Sequence, residues 1–590
     1  MTPDVITTTA DNVQPIYYRE SGDIAAFVGM FEKGPINKPV FIKTANQFKL
    51  TFGRATNSNY NDWYQVYNYL QYANGIWVNR SSGDYTFNAS SIGPIDVIND
   101  DDEFREKEST IVVPSNEYFT FVAQTAGEWG NLLSVAVITK VDWDLNVPLK
   151  GNTKARDVFP SFKEDYYGFV IFRKDQVVES FFKTSTNIDQ INDESNYIYV
   201  KSRLSAYSNA FYDENYMHFN GNFDYFNGNE YLYNGNYDIS ADGDIFLIDG
   251  NYALVDGNSG VQLVRSYYGD NIIKLNGGAN SVPSSILFKE SHEILKHVDN
   301  YDIDIIIGND IDNALAVDIA ETRKDCIAFI GIPAIYLTFL EIFQFGIKKI
   351  FHLEDHRELL IKQQFFGFNK SEDVYVEIDK YLDSIPFSQY VHFTMNAKQQ
   401  LDPFTNKYRA INIAGDIAGL KAKSSYDSPW TVAAGLERGI IKNMYKMLIQ
   451  VDDRRKKIYY RNGLNFVEDG ALMTQKTYTT IPTSFNRVNV RALFNHVEKI
   501  VARNLRLHLF KENTVDLRGM ITSEVKRFLE NVKASRGIDW GRVEVHPDKN
   551  DPNAIVVDVY IKPIYVAEYI QLRMKNVGTD TVSNILSSTL

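Results

Sequence analysis

The stretch DIDIIIGNDIDNALAVDIAETRKDCIAFIGIP (302–333) contains the pattern on which the fold assignment rests. Its first part, DIDIIIGND, predicts a buried strand. NALAVDIAETRKD has helical character, and CIAFIGIP predicts a second buried strand. A strand, a helix and another strand in succession are typical of an α/β unit. We therefore assign residues 286–402 to an α/β domain.

The segment upstream, 21–98, has the same mixed character. It contains a strand, a turn-rich loop, a helix and a second strand: IAAFVG (24–29), KGPINKP (33–39), YNDWYQVYNYLQYANG (60–75) and IWVNR (76–80). The acidic run NDDDEFREKE (99–108) follows. It predicts a solvated boundary between domains, with metal binding as the alternative.

The middle of the chain is rich in strand patterns. Residues 109–200 contain short apolar runs separated by turn residues, which predicts a β-rich domain. In 201–285, Asn-Gly and Asp-Gly dipeptides recur every seven residues with one slip. Such dipeptides supply the positive φ angles of tight hairpin turns. We expect an outer insertion built as a meander of very short strands or a small solenoid, with calcium binding as the alternative.

The C-terminal part, 403–571, ends in clearly predicted secondary-structure elements. Apolar residues from Val490 to Val501 lie on one helical face, and a second helix is predicted from Thr514 to about Ala534, with Gly537 as its stop. AIVVDVYI (554–561) predicts a strand. The flanking segments 1–20 and 572–590 have no companion strand nearby and are predicted to be extended arms. The fold class is therefore α+β and α/β, multidomain.

Composition excludes several classes of protein. The 590 residues suffice for roughly three to five domains. A formal charge of -14 opposes nonspecific binding to nucleic acid or anionic lipid. Cys326 is the single cysteine, so an intrachain disulfide is impossible, and we interpret it as a buried structural residue. The first residues lack the pattern of a secretory signal, and the uncharged stretch 326–340 is too short to span a bilayer.

Motifs for catalysis or cofactor binding are not found. The sequence has neither a GxxxxGK[ST] loop nor a GxSxG elbow. His292 and His297 are about 140° apart on a helix, so an exposed helix is favoured over a zinc site. His352 and His356 are spaced to share a metal, although a solvated helix start is favoured. The basic and aromatic run 454–461 favours a charged interface with another protein over nucleic acid. We predict no catalytic residues, no metal and no cofactor.

Several motifs, taken in order, resemble one family: the tail sheath proteins of contractile bacteriophages, related to the sheaths of R-type bacteriocins and type VI secretion. The motifs are AAFVGMFEKGP (25–35), FG (52–53), LQYANGIWVNR (70–80), AGEWGNLLSVAV (126–137), SPWTVAAGLERG (428–439), NGLNFV (462–467), TQKTY (474–478), FNRVNVRALFNHVEKIV (485–501), FKEN (510–513) and IYVAEYIQL (564–572). LNGGANS (275–281) resembles the family's Gly-Gly-Asp-Gly loop but lacks its Asp and last Gly. The segment 200–285 departs from the family pattern.

The resemblance implies a structural, non-enzymatic subunit. In the family, six-membered rings stack helically around a tail tube and contract from a metastable extended state, driving the tube through the host envelope without nucleotide. The implied partners are further copies of the chain, the tail tube protein, the baseplate and the neck or tail terminator. No direct nucleic acid contact and no membrane insertion are implied. The implied location is the virion, after assembly in the host cytoplasm.

The resemblance also implies an arrangement of parts and two interaction surfaces. The N- and C-terminal parts form one discontinuous inner domain with the other domains inserted. The terminal arms exchange strands between subunits through Val5, Ile6, Val13, Ile16, Tyr17, Leu572, Met574 and Val577. A basic stripe of Arg491, Lys499 and Arg503 faces the tube, with a solvated helix face as the alternative. A baseplate or other tail protein, or a carbohydrate-binding surface protein, remains open as an alternative function.

Overall fold

The computed structural model describes residues 22–114, 119–163, 166–184, 186–202, 272–345, 363–364, 366–448 and 451–566, and within 216–264 a set of short strands. The chain divides into two units, one within 7–495 and a C-terminal unit that starts at His496. Each is described by itself below, as the first unit and the C-terminal unit.

A seven-stranded sheet, called the large sheet, forms the centre of the first unit. The edge strand Val40–Ile42 is antiparallel to its neighbour, and the other pairings are parallel. In spatial order its strands are Val40–Ile42, Ile76–Arg80, Ala25–Gly29, Ile305–Ile307, Ile327–Gly331, Val391–Thr394 and Leu464–Asn465. Strands from 21–98, from the predicted α/β domain 286–402 and from 403–571 thus contribute to one sheet.

Helices cover both faces of the large sheet, which explains why its strands are almost continuously apolar. One face packs against Ser285–Glu293, Asn313–Arg323, Ala334–Phe345, Ser371–Ser384 and Asp453–Arg461. The other packs against Ala45–Phe52, Tyr60–Tyr69 and Ala414–Ser424. Cys326 is fully buried in the first of these cores, as predicted. The predicted strand, helix and strand of 302–333 are confirmed.

A β-rich region follows the first strands of the large sheet. Its four-stranded antiparallel sheet has the order Ile272–Lys274, Leu133–Ile138, Tyr166–Arg173 and Gln176–Thr184, and Phe119–Ala123 pairs with Ile198–Ser202. The acidic run before it forms helix Asp101–Lys107, capped by the Asp100 carboxylate, and Phe104 is buried. The run is therefore part of a packed element, because one apolar residue anchors an otherwise charged helix.

The repeat and the remaining small sheets complete the first unit. Short antiparallel strands in the repeat are Tyr216–Phe219, Phe223–Phe226, Glu230–Tyr233, Tyr237–Ile239, Ile245–Leu247, Tyr252–Asp256 and Gly260–Val264. Strand Ala397–Asp402 pairs with both Lys407–Asn412 and Lys446–Met447. Strand Val467–Glu468 pairs with Ala471–Leu472, and Phe87–Asn88 pairs with Ile95–Asp96. Helix Val488–Leu505 begins in the first unit and ends in the C-terminal unit.

The C-terminal unit combines a helix with an antiparallel hairpin. Helix Val515–Ala534 begins at Thr514, whose hydroxyl accepts a hydrogen bond from the amide of Leu517 (3.2 Å). It ends where Arg536 takes a positive φ of 60°, so the left-handed residue is Arg536 rather than the predicted Gly537. Strands Ile538–Pro547 and Ile555–Pro563 form the C-terminal hairpin. Of the helices in the described ranges, each is too short or too polar to cross a bilayer.

Candidate functional site

The C-terminal unit presents the clearest candidate assembly surface. One face of helix Val515–Ala534 is buried and packs against strand Ile538–Pro547, which buries Leu517, Ile521, Val525, Leu529 and Val532. Each such side chain contributes about 1.5–3 kcal/mol when fully removed from water. The hairpin is therefore held by a helix on one side, while its opposite side is exposed as far as the described residues 496–566 show.

The C-terminal hairpin has cross-strand polar contacts and exposed apolar side chains. His546 Nε2 lies 3.1 Å from Asp558 Oδ2, and Lys562 Nζ lies 2.6 Å from Asp539 Oδ2. Trp540, Tyr560, Tyr565 and Val566 are roughly half exposed. In the described part of the chain this sheet has two strands, so each strand has one outer main-chain edge beyond the ladder. Such an edge can accept a further strand.

The three residues of the predicted basic stripe differ in their exposure to solvent. Arg491, in the first unit, is 3% exposed, and its guanidinium lies 4.7 Å from the ring centroids of both Tyr390 and Phe485. Lys499 is half-buried and Arg503 is exposed, both in the C-terminal unit. The prediction of a surface stripe is thus wrong for Arg491, because an aromatic residue about 100 positions away covers it. The contact with a tube through Lys499 and Arg503 stays a prediction.

Other predicted site residues lie outside the described residues. These are the arm residues Val5, Ile6, Val13, Ile16, Tyr17, Leu572, Met574 and Val577, and the histidines His352 and His356. Strand exchange by the arms therefore stays a prediction.

His292 differs from its predicted surroundings. It lies on helix Ser285–Glu293 but is 4% exposed, and its Nδ1 contacts the carbonyl of Phe288 at 2.7 Å. Burial lowers the pKa of His292 to about 4, so the imidazole is neutral and structural. The predicted exposed helix face was wrong here, since this face packs on the large sheet. Within the described ranges, no three His, Cys, Asp or Glu side chains are grouped to hold a metal.

Two buried ion pairs lie within residues 397–425, and Tyr64 and Tyr72 from the early part of the chain donate hydrogen bonds to their carboxylates. Lys398 Nζ contacts Asp416 Oδ1 at 2.8 Å, and both side chains are buried. Tyr72 donates a hydrogen bond to the same Asp416 oxygen (2.9 Å). Arg409 pairs with Asp402, which accepts a hydrogen bond from Tyr64 (3.1 Å). These contacts were not predicted, because charged residues along the sequence carry no sign of their distant partner.

Arg80 joins the end of a strand of the large sheet to the β-rich region. Its guanidinium is buried and donates hydrogen bonds to the carbonyls of Gly34 (2.6 Å) and Ala126 (2.9 Å) and to Asn280 Oδ1 (2.6 Å). Burial lowers its pKa to about 9. Gly34, Arg80, Ala126 and Asn280 belong to the motifs 25–35, 70–80, 126–137 and 275–281. Four sequence motifs, separated in the chain, therefore meet at this one side chain.

Beside this junction lies an open cleft of about 790 Å³. Lys33, Trp129 and Tyr197 line it, together with Asp101 and Asp102 of helix Asp101–Lys107. The Lys33 ammonium lies 5.1 Å from the ring centroid of Trp129 and 5.5 Å from that of Tyr197. Lys33 directly precedes Gly34, so the motif that carries the junction also supplies the charged group of the cleft.

The described residues form a packed α/β centre and a C-terminal hairpin, and comparisons with known proteins show which class of protein they resemble. Residues 480–576 match the family profile described as the phage tail sheath C-terminal domain. The match covers both predicted helices, Val488–Leu505 and Val515–Ala534, and the C-terminal hairpin. This region is therefore similar to a tail sheath C-terminal domain.

Particular relatives agree with this class. The chain is 32% identical over 203 residues to the tail sheath protein of Enterobacteria phage T4, covering 32% of this chain and 31% of that protein. It is 32% identical over 196 residues to the tail sheath protein of Vibrio phage KVP40, covering 31% and 29%. The aligned segments thus span about a third of these curated relatives.

Solved structures extend the likeness to the whole fold. The sheath tail protein of Listeria innocua aligns over 92% of both chains with a TM-score of 0.52, at 10% sequence identity. At this identity the likeness concerns the fold alone. Together with the matches in sequence, it confirms the predicted resemblance to contractile tail sheath proteins.

Proposed function

We propose that the chain is a structural subunit of a contractile phage tail sheath. The observation that carries this proposal is the match of 480–576 to the tail sheath C-terminal domain, in a chain whose fold resembles a sheath protein over 92% of its length. In this proposal, six-membered rings stack helically around a tail tube. They contract from a metastable extended state and drive the tube, and then the genome, through the host envelope.

The proposed subunit has no enzymatic activity. Its work comes from free energy stored in the extended packing during assembly in the host cytoplasm. Its proposed partners are other copies, the tail tube, the baseplate and the neck or tail terminator, and it contacts neither nucleic acid nor membrane directly. Buried pairs such as Lys398 with Asp416 support this mechanism, since a rigid unit can move as a body while contacts between subunits change.

The inner part of the subunit is proposed to be discontinuous in sequence. Pairing of Ala25–Gly29 with Ile305–Ile307, and of Val391–Thr394 with Leu464–Asn465, supports this, because the large sheet unites early and late segments. The inserted β-rich and repeat regions are then placed outward.

The arms are proposed to complete the C-terminal hairpin in neighbouring subunits. Each hairpin strand has an outer main-chain edge, and residues 1–20 and 572–590 are the segments predicted to pair there. Main-chain hydrogen bonds across such an edge survive a rotation of the rigid units. Because each copy then gives a strand and receives one, the contacts are head-to-tail and build rings and helices rather than closed dimers.

Electron microscopy of the purified protein tests both levels of this proposal. The intact chain is expected to form hollow tubes, and a variant lacking residues 1–18 is expected to remain soluble and folded without forming them. Normal tubes from the deletion variant would contradict the arms. Failure of the intact chain to form tubes, alone or with tail tubes, would contradict the sheath function itself.

Charge reversal tests the tube contact. Lys499→Glu with Arg503→Glu is expected to weaken assembly on tail tubes at low salt, and the defect should shrink at high salt because exposed charges are screened. Arg527→Glu, an exposed change on helix Val515–Ala534, is the matched control. Equal assembly of the double variant and the control at low salt would refute the contact.

A further inference from the structure

The basic and aromatic run 454–461 lies on helix Asp453–Arg461, whose solvent-facing side carries positive charges around one aliphatic residue. Four exposed residues within an arc of about 100° of the helix, called the basic face, form this side. They are Arg454, Lys457, Ile458 and Arg461. Ile458 is 51% exposed. Lys456, next to this face, is paired with Glu468, whereas no ion pair engages the three cations of the basic face within the part of the chain that the structure describes.

The neighbouring helix Ser371–Ser384 has a solvent-facing side of the opposite charge. Three carboxylates and one exposed aliphatic residue, called the acidic face, lie within an arc of about 60° of this helix. They are Glu372, Val376, Asp379 and Asp383. Val376 is 52% exposed. Lys380, beside this face, is held by Glu377 at 2.6 Å, while Glu372 and Asp383 have no ion pair among the described residues.

The two helices contact each other mainly through side chains outside these faces. Both pack on the same side of the large sheet, where the Arg455 guanidinium lies 3.8 Å from the ring centroid of Tyr375. The Tyr459 hydroxyl donates a hydrogen bond to Asp379. In the described ranges no ion pair joins the acidic face to the basic face of the same copy. The charges of both faces are therefore directed at solvent or at another molecule.

The two faces match each other in charge, in composition and in length. Each has three charges of one sign around a half-exposed aliphatic side chain. At about 1.5 Å per residue, the basic face is about 10 Å long and the acidic face about 16 Å long, so one can lie along the other. Such packing would remove Val376 and Ile458 from water together and surround them with ion pairs. A nucleic acid strand fits less well, because the neighbouring acidic face repels phosphate groups.

We propose that the basic face of one copy docks on the acidic face of a second copy. This inference rests on the proposed function, because it requires copies to meet in an assembly. It names a contact that involves neither the terminal arms nor the C-terminal hairpin. Since the two faces are different surfaces, each copy gives one face and receives the other, and the contact can repeat from copy to copy along a polymer.

Charge reversal with rescue between copies tests the contact. Lys457→Glu with Arg461→Glu, the first variant, makes the basic face acidic. Glu372→Lys with Asp383→Lys, the second variant, makes the acidic face basic and leaves Asp379 with Tyr459. Each variant alone brings like charges together, so the protein concentration needed for half-maximal assembly at low salt should rise about tenfold or more.

An equal mixture of the two variants should assemble again. Opposite charges meet wherever unlike copies touch, so the concentration for half-maximal assembly should return to within about threefold of the wild-type value. Neither chain carries the compensating change itself, so this recovery cannot come from repair of folding within one copy. The matched control, Lys274→Glu with Lys289→Glu, changes the net charge equally at exposed positions outside both faces and should assemble like wild type.

The outcomes separate this inference from the sheath function. Assembly of either variant alone at the wild-type concentration overturns the docking. A mixture that assembles no better than its weaker component also overturns it, because the faces then meet a tail tube, a nucleic acid or another molecule instead of each other. In both cases wild-type tubes leave the sheath function standing. Absence of any polymer from the wild-type chain contradicts the sheath function and this inference together.

Discussion

The pair of Lys398 and Asp416 offers the sharpest test of how the first unit is held together. Lys398 Nζ lies 2.8 Å from Asp416 Oδ1 and also donates to the carbonyl of Lys442 at 2.9 Å. Neither side chain is exposed by more than 1%. The substitution Lys398→Met removes the ammonium, keeps much of its volume, and leaves the Asp416 carboxylate with Tyr72 as its side-chain donor.

The expected cost follows from burial. Breaking a buried ion pair by removing one partner costs about 3–5 kcal/mol, since the remaining charge is left uncompensated. Local opening of helix Ala414–Ser424, which carries Asp416, should then become about two to four orders of magnitude more frequent. Hydrogen exchange of this helix, measured by mass spectrometry, reports that opening directly.

The pH dependence of the loss of stability in Lys398→Met gives a second, independent test. Burial raises the pKa of Asp416 above its unfolded value. A raised pKa means that the folded state holds the proton more tightly, so this carboxyl favours folding at low pH and the benefit is lost as pH rises. The charge and hydrogen bond of Lys398 oppose this rise, so Lys398→Met raises the pKa of Asp416 further, and the variant's loss of stability should shrink from pH 8 to pH 5.

A matched substitution separates the effect of burial from the effect of losing a charge. Lys380→Met breaks an exposed pair with Glu377 (2.6 Å, side chains 66% and 33% exposed) and should cost less than about 1 kcal/mol. The reasoning is refuted if Lys398→Met changes the exchange of 414–424 by less than tenfold, or if its defect grows as the pH falls.

Three further predictions concern the first unit. Asp62 is buried, which raises its pKa to about 7, so the free energy of unfolding falls as the pH rises from about 4 to 7 and this carboxyl loses its proton in the folded state. Asp62→Asn should therefore raise the unfolding temperature at pH 8 but not at pH 4. Equal effects at both pH values would contradict this prediction. Gly415→Ala should abolish soluble protein, since its Cβ would lie 2.2 Å from the Gln65 carbonyl oxygen. The control is Gly519→Ala, on an open helix face of the C-terminal unit, which should leave the free energy of unfolding in urea unchanged or raise it by up to about 1 kcal/mol. Arg80→Met should lower the free energy of unfolding, followed by tryptophan fluorescence, by about 3–5 kcal/mol, and a loss below 1 kcal/mol would show that its three hydrogen bonds are dispensable.

Local elements could be predicted from the sequence where spacing and capping agree. The helix predicted from Thr514 to about Ala534 is Val515–Ala534 because its apolar residues recur at helical spacing and Thr514 caps it. Strand Ile76–Arg80 has the predicted bounds. Such features depend on near neighbours, whose chemistry is visible in one sequence.

Long-range partners could not be predicted in this way. Ala25–Gly29 pairs with Ile305–Ile307, and a period-two pattern does not reveal which strand will pair with it. The charge of Arg491 indicated a surface position, yet the ring of Tyr390 covers its guanidinium. Lys33 likewise carried no sign of its aromatic surroundings, since Trp129 and Tyr197 join it through the fold alone.

The central position of strand Ala25–Gly29 has a consequence during synthesis. Its first neighbour, Ile76–Arg80, is made soon afterwards, but the other neighbour is Ile305–Ile307. At 5–20 residues per second the ribosome needs roughly 14–55 s to cover that interval. Until then one side of the strand has no partner, and a half-made copy has no finished sheet to offer its neighbours. Translation time itself therefore sets the earliest moment at which a copy can enter a polymer.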